Sequence, residues 1–220
     1  MSAIVLSAKR CGSTIIQNVG YIVIHKKKGR LRKFHKITNL TEGDLILIPI
    51  RDPRDVSLSI RRTLIRDYYS KTKKEEGKIT NLNFLHNKLV INQLDLMVDL
   101  YQTYKNKKKC LVLRYEEIFK NGLGNYEILV RELCKFFNVQ FTDELNTLVH
   151  DILNFNNLKK VSSSMDTFKK NDIGRTSFGL HGGHISSSSV SIWEEKIPLN
   201  LHEEYNNKLG KYLERLNYKK

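Results

Sequence analysis

Side chains that can bind anions or move protons follow three short apolar segments of this 220-residue sequence. The first segment, residues 3–6, leads into a polar turn made of Arg10, Cys11, Gly12, Ser13 and Thr14. Consecutive backbone N–H groups in such a turn, with the positive end of a following helix, can hold a phosphate-sized anion. We therefore predict an anion site here, with Ser13 or Thr14 close to the N-cap of the helix.

The other two apolar segments also end at polar groups. Residues 45–50 lead into Arg51, and Asp52 is the predicted N-cap of the helix that follows. Residues 111–113 end just before Tyr115. Because ligands of open α/β sheets bind at the carboxyl ends of the strands, these groups and the first turn are expected to form one site.

The turn at Arg10 differs from a Walker A loop. The pattern Gly-x-x-x-x-Gly-Lys-Ser/Thr is absent, and the cation precedes the glycine instead of following it. A cation in that place would lie near the bridging oxygen of a bound phosphosulfate. A nucleotide-dependent kinase or another P-loop-like phosphotransferase is the alternative, although an obvious metal-holding aspartate after a strand is missing.

Three segments resemble the sulfotransferase family. Residues 7–14 are similar to its 5′-phosphosulfate-binding loop, with Arg10 where the family has Lys or Arg. Residues 50–59 are similar to its 3′-phosphate-binding strand and helix, with Arg51 and Ser59 on the two contacting positions. Residues 113–118 resemble its Tyr-Glu-Asp-Leu segment, whose tyrosine lies beside adenine. The resemblance implies transfer of a sulfuryl group from 3′-phosphoadenosine 5′-phosphosulfate (PAPS) to a hydroxyl or amine, without a metal.

The same resemblance implies the catalytic groups. Residues 34–37 resemble the segment that carries the family's general base, which assigns that role to His35. His35 would take the acceptor's proton, and Arg10 would stabilise the charge that grows on the leaving group. Two departures limit the comparison: Ile15 stands where many members have a tryptophan, and the stretch between Thr14 and His35 is short. The acceptor is therefore not implied.

A Ser-, Gly- and His-rich stretch, about 156–191, is predicted to be a long loop that folds over the nucleotide as a lid. Two alignments with the family's C-terminal phosphate-binding loop are possible, and they place either Lys170 or His184 at the 3′-phosphate. His181 and His184 are spaced as metal ligands can be, but no third ligand accompanies them. We therefore predict no metal.

The formal net charge of +15 favours anionic partners. Basic residues crowd into 26–36 and 105–109. A nucleic-acid-binding protein is thus a third possibility, although no recognition motif is present. Because the first run precedes His35 closely, we expect the acceptor to be a small molecule or glycan, and an anionic one, such as a sulfated or carboxylated glycan, is favoured.

The elements that must position these groups indicate an α/β fold. Three strand-then-helix units predict a central parallel sheet flanked by helices, in one domain over residues 1–220. Helical spacing recurs over 85–104, 128–137 and 199–216. No apolar run reaches the roughly 20 residues that cross a bilayer, and no signal peptide is evident, so a cytoplasmic protein is expected. The oligomeric state does not follow from the sequence.

Overall fold

A four-stranded parallel sheet forms the centre of the chain. The structure, a computed structural model, describes residues 2–36, 43–69, 78–122, 124–154, 156–158, 160 and 190–219. The strands are β1 (Ala3–Leu6), β2 (Arg32–Phe34), β3 (Leu45–Ile50) and β4 (Cys110–Arg114). Their order is β2-β1-β3-β4, and every neighbouring pair is parallel. The predicted α/β class with a parallel sheet is confirmed.

Helices cover both faces of this sheet. They are α1 (Ser13–His25), α2 (Pro53–Tyr69), α3 (Lys88–Tyr104), α4 (Tyr115–Ile118), α5 (Glu127–Phe137), α6 (Asp143–Ile152), α7 (Ile192–Lys196) and α8 (His202–Arg215). Short 3₁₀ helices precede α3 at Asn83–His86 and α8 at Leu199–Leu201. Within the described ranges, no helix is long and apolar enough to cross a membrane.

Alternating side chains of the strands divide the core into two halves. Ile4 and Leu6 of β1 pack with residues of α2, α3 and α8, while Val5 packs with residues of α1, α5 and α6. Successive side chains of a strand point to opposite faces, so a sheet covered on both sides needs a continuous apolar run. The short apolar segments of the sequence meet that requirement.

Some predicted boundaries change. The helical spacing over 85–104 is divided, because Leu85 lies in the first 3₁₀ helix and α3 begins after Asn87, whose side chain accepts a hydrogen bond from the Leu89 amide. Residues 156–158 and 160, predicted as loop, are helical. Strand β2 ends at Phe34, so His35 stands just beyond the strand. This places His35 at the carboxyl edge of the sheet with the other predicted site residues.

Candidate active site

The turn between β1 and α1 has the geometry of an anion cradle. Helix α1 begins at Ser13, and Gly12 is its N-cap in a left-handed conformation, with φ of 77°. Ser13 and Thr14 are the first two residues of the helix, so they lie next to the N-cap as predicted. Amides in the first turn of a helix have no acceptor within that helix. The N–H groups of Ser13 and Thr14 are therefore available to an anion.

Gly12 leaves room for the ring of Tyr115. A Cβ atom added to Gly12 would lie 2.7 Å from Cδ2 of Tyr115, too close for any real side chain. The guanidinium of Arg51 lies 4.2 Å from the centre of the same ring. Tyr115 therefore joins the loop predicted to hold the 5′-phosphate to the arginine predicted to hold the 3′-phosphate.

Arg51 is held at the end of β3 by a carboxylate. It is only 8 % exposed, and its Nη2 donates to Oδ2 of Asp55 at 3.0 Å. Its Nε has no hydrogen-bond partner among the described residues. A buried guanidinium N–H without an acceptor is costly, so this group suits a bound anion.

Asp55 also receives two backbone amides from the segment that leads into α7. The Ser191 amide donates to Oδ2 and the Trp193 amide to Oδ1, each at 3.0 Å. Sequence reasoning missed Asp55 because a carboxylate in the first turn of a helix usually only stabilises the helix dipole. Asp55 instead connects Arg51 to the C-terminal part of the chain.

Arg10 and Ser59 lie close together through a threonine. Arg10 has a positive φ of 73°, and its guanidinium donates to the hydroxyl of Thr63. That hydroxyl in turn donates to the backbone carbonyl of Ser59 at 3.0 Å. The cation predicted at the phosphosulfate thus contacts α2 one helical turn after the serine predicted at the 3′-phosphate.

His35 is oriented by the backbone at the end of β1. Its Nδ1 lies 2.8 Å from the Ser7 carbonyl oxygen, so Nδ1 carries the proton and Nε2 has a lone pair. Partial burial of the ring lowers the pKa of His35, and the charges of Lys33 and Lys9 act in the same direction against the opposing effect of the Ser7 bond. His35 therefore presents a neutral base near pH 7.

Lys33 is a second group that sequence reasoning missed. Its Nζ donates to the hydroxyl of Thr14 at 3.1 Å, which places an ammonium group at the amino end of α1. In the sequence Lys33 is one of several cations in the basic run 26–36. Only the pairing of β2 with β1 distinguishes it, because that pairing sets Lys33 opposite Val5.

Cys11 contributes its backbone and not its thiol. The side chain is fully buried, with Sγ 3.5 Å from Sδ of Met97. Burial raises the pKa of this thiol to about 12, so it remains protonated at neutral pH. The predicted binding role of Cys11 can therefore rest only on its amide.

A buried polar network supports the junction between β3 and α2. Asp52 caps α2 as predicted, since its Oδ1 accepts the Arg54 amide at 2.8 Å. The same carboxylate pairs with the Arg54 side chain, whose guanidinium lies 4.1 Å from the centre of the Trp193 indole. This network fixes the start of α2, and with it the direction of Arg51.

The remaining predicted site residues, Lys170 and His184, lie outside the described residues, as does most of the predicted lid. Among the residues that the structure describes, no three His, Cys, Asp or Glu side chains are grouped as a metal site would require.

A sequence model of the sulfotransferase domain matches residues 44–216. The chain belongs to the sulfotransferase family. The predicted family and the prediction of a sulfuryl-transferring enzyme are confirmed, and the kinase alternative is not retained. The match starts after β2, so the turn at Arg10 and the His35 segment lie outside it. The structure attaches them to the matched part through the pairing of β1 with β3.

The fold is also similar to a solved structure. A crystal structure of retinol dehydratase in complex with androsterone and the inactive cofactor PAP matches with a TM-score of 0.64 at 14% identity. The match covers 96% of this chain and 80% of that one. At this identity the likeness concerns the fold alone. No curated protein sequence matches the chain.

Proposed function

We propose that residues 1–220 act as one sulfotransferase domain that binds PAPS across the carboxyl edge of the sheet and transfers its sulfuryl group to a hydroxyl or amine. The observation that carries this proposal is the position of Tyr115. Its ring contacts both Gly12 and Arg51, which brings the two predicted phosphate-binding groups together at one edge of the sheet.

The two ends of the cleft suit the two phosphate positions of the donor. The amides of the Cys11–Thr14 turn and the Lys33 ammonium would hold the 5′ side, because helix amino ends and cations both stabilise oxyanions. Arg51 and Ser59 would hold the 3′-phosphate, and the unpartnered Nε of Arg51 fits that role. The presence of PAP in the retinol dehydratase structure supports this assignment. Lys170 and His184 remain predictions for the 3′-phosphate.

The chain's own groups would divide the proton and charge transfers between them. PAPS supplies the sulfuryl group, which moves to the acceptor by in-line displacement. Nε2 of His35 accepts the acceptor's proton as its oxygen or nitrogen bonds to sulfur. Arg10 and Lys33 stabilise the negative charge left on the departing bisphosphate as the bridging S–O bond breaks. Positioning and charge account for most of the catalysis in such transfers.

Lys9 and Lys33 suggest an anionic small-molecule or glycan acceptor. Both positive charges are close enough to His35 to lower its pKa, so they would also attract a negatively charged acceptor there. The sequence suggested that the basic residues of 26–30 also favour an anionic acceptor, but their position in the fold does not support this. They follow the carboxyl end of α1 and precede β2, which places them at the opposite edge of the sheet from His35.

Nucleotide binding and transfer test the proposal together. We expect adenosine 3′,5′-bisphosphate to raise the melting temperature clearly more than ATP, without magnesium, because Arg51 and Ser59 contact a 3′-phosphate that ATP lacks. Sulfate-labelled PAPS with a panel of glycans, phenols, sterols and peptides would then identify the acceptor. Equal stabilisation by the two nucleotides would contradict the donor site, and transfer only to neutral phenols would contradict the anionic acceptor.

A further inference from the structure

The two most basic segments of the chain lie on one edge of the molecule. Residues 26–30 follow the carboxyl end of α1 and lead into β2, while residues 105–109 follow α3 and lead into β4. Both segments therefore lie at the amino edge of the parallel sheet, opposite the carboxyl edge that carries His35 and Arg51. We call this face the amino-edge surface.

Hydrogen bonds at the strand starts connect Arg32, just after the first segment, and Lys109, in the second, to this same edge. The Lys109 carbonyl accepts the Ile46 amide at 2.8 Å, at the start of β3. The Ser2 carbonyl accepts the Leu45 amide at 3.0 Å, and the Ser2 hydroxyl accepts from Arg32 at 3.1 Å. Strands β2 and β4 are the two edge strands, three spacings apart, so the basic segments stand roughly 14 Å from each other.

The charges of this surface are exposed. The side chains are exposed in both segments: Lys26, Lys27 and Lys28 in the first, and Lys107, Lys108 and Lys109 in the second. An acidic group at the same edge, Asp44, is buried and lies 3.8 Å from Arg32. The positive potential is therefore spread across the width of the sheet.

We propose that the amino-edge surface binds the anionic face of a phospholipid membrane. A cluster of lysine and arginine side chains on one face binds such a surface, with affinity rising about fivefold for each basic residue close to it. The two clusters of cations lie beside opposite edge strands, which suits a broad planar partner. This orientation would direct the carboxyl edge, and the proposed donor site, away from the lipid.

The surroundings of the two segments favour lipid over a single-stranded nucleic acid. Single-stranded nucleic acids are bound by exposed aromatic rings between cations. Of the rings described near this edge, Tyr21 packs at a tilt against His25 with ring centroids 4.3 Å apart, and Tyr104 is buried in the core. The described part of this edge thus offers charge without a stacking platform.

Co-sedimentation with vesicles tests this proposal. We expect the full chain to bind vesicles that contain about 30 mol% phosphatidylserine, and to be released when the salt rises from about 0.1 M to about 0.5 M. Vesicles of phosphatidylcholine alone should bind little. Replacing Lys27, Arg30, Lys107 and Lys108 with glutamine should weaken binding by roughly 10²-fold or more.

A matched control removes the same charge elsewhere. Lys88, Lys120, Lys208 and Lys211 are exposed and lie outside the amino-edge surface, so their replacement with glutamine should weaken vesicle binding far less. Stabilisation by adenosine 3′,5′-bisphosphate should persist in both quadruple variants, which shows that they fold. An equal loss of vesicle binding in the two variants would overturn the proposal. Binding of the wild-type chain to RNA but not to the anionic vesicles would also overturn it.

Discussion

At the residue scale, the reactivity of His35 is set by a backbone carbonyl. The Ser7 oxygen, 2.8 Å from Nδ1, takes the proton-bearing side of the ring and leaves Nε2 as the base. Ser7 is itself fully buried at the end of β1. The tautomer is thus fixed by an element of the sheet, and no second catalytic side chain is needed to orient the ring.

Replacing His35 with alanine should separate chemistry from binding. We expect turnover to fall by about 10²–10⁴, the usual effect of losing a general base. The affinity for adenosine 3′,5′-bisphosphate should stay nearly unchanged, because His35 is assigned to the acceptor's proton. Steady-state rates and isothermal titration would measure the two effects. Near-normal turnover in this folded variant would remove His35 from the mechanism.

The lowered pKa of His35 also predicts a pH dependence. Since the neutral ring is the base, the rate should fall only when the pH drops through a value below the ordinary 6.5 of histidine. Lys33 helps to lower the pKa, so Lys33→Gln should shift the acid limb of the kcat profile to higher pH. An exposed lysine far from the site, Lys211, gives the matched control, since its replacement should leave the limb in place.

At the element scale, the junction of β3 with α2 links the nucleotide to the C-terminal part of the chain. One carboxylate, that of Asp55, accepts the Arg51 side chain and the amides of Ser191 and Trp193. The Asp55 side chain is fully buried, so each of these hydrogen bonds is shielded from water. Asp55 is therefore a positioning residue for Arg51.

Asp55→Asn should weaken recognition of the 3′-phosphate in particular. The variant removes the charge that orients Arg51, so adenosine 3′,5′-bisphosphate should bind about 10-fold or more weaker, equivalent to roughly 1.5–3 kcal/mol. Adenosine 5′-phosphate should lose much less affinity. Ser57→Ala is the control, because Ser57 bonds to Tyr205 and does not contact Arg51. An equal loss for both nucleotides would assign Asp55 a merely structural role.

At the scale of the whole molecule, the end of the chain returns to the carboxyl edge of the sheet. The hydroxyl of Tyr218 donates to Oε2 of Glu116 at 2.7 Å, and the other oxygen of Glu116 accepts the Asp52 amide at 2.8 Å. Burial raises the pKa of Glu116, and these two hydrogen bonds oppose that effect. Residues from the β3–α2 junction, α4 and the C-terminal segment are thus joined by one partly buried carboxylate.

Tyr218→Phe should therefore destabilise the fold measurably. A partly buried carboxylate that loses a donor costs about 1–3 kcal/mol in the free energy of unfolding, which urea titration would show. The loss should shrink as the pH falls through a value above the ordinary glutamate pKa of 4.5, because the raised pKa of Glu116 means that the folded carboxyl is protonated there. Tyr212→Phe removes a hydrogen bond to the half-buried Asp95 and should cost less. A larger loss in the control would contradict this account.

The sequence by itself determined three of the four strands (β1, β3 and β4), the parallel sheet and the positions of the chemical groups along the chain. Continuous apolar runs in β1 and β3 can be buried only between two layers of helices, and the residues after them then share one edge. Arg10, Arg51 and Tyr115 could be singled out for this reason, whereas His35 and Ser59 followed from the resemblance to the sulfotransferase family.

Tertiary structure decided which of these groups meet and through which partners. The contact of Tyr115 with Gly12 joins residues that are far apart in sequence, and no local pattern encodes it. The pairing of β2 with β1 selects Lys33 from a run of similar cations, and it sends residues 26–30 to the other edge of the sheet. Asp55 acquires its role because α7 packs on α2. Charge and periodicity are local properties of a sequence, whereas hydrogen-bond partners depend on how the elements pack.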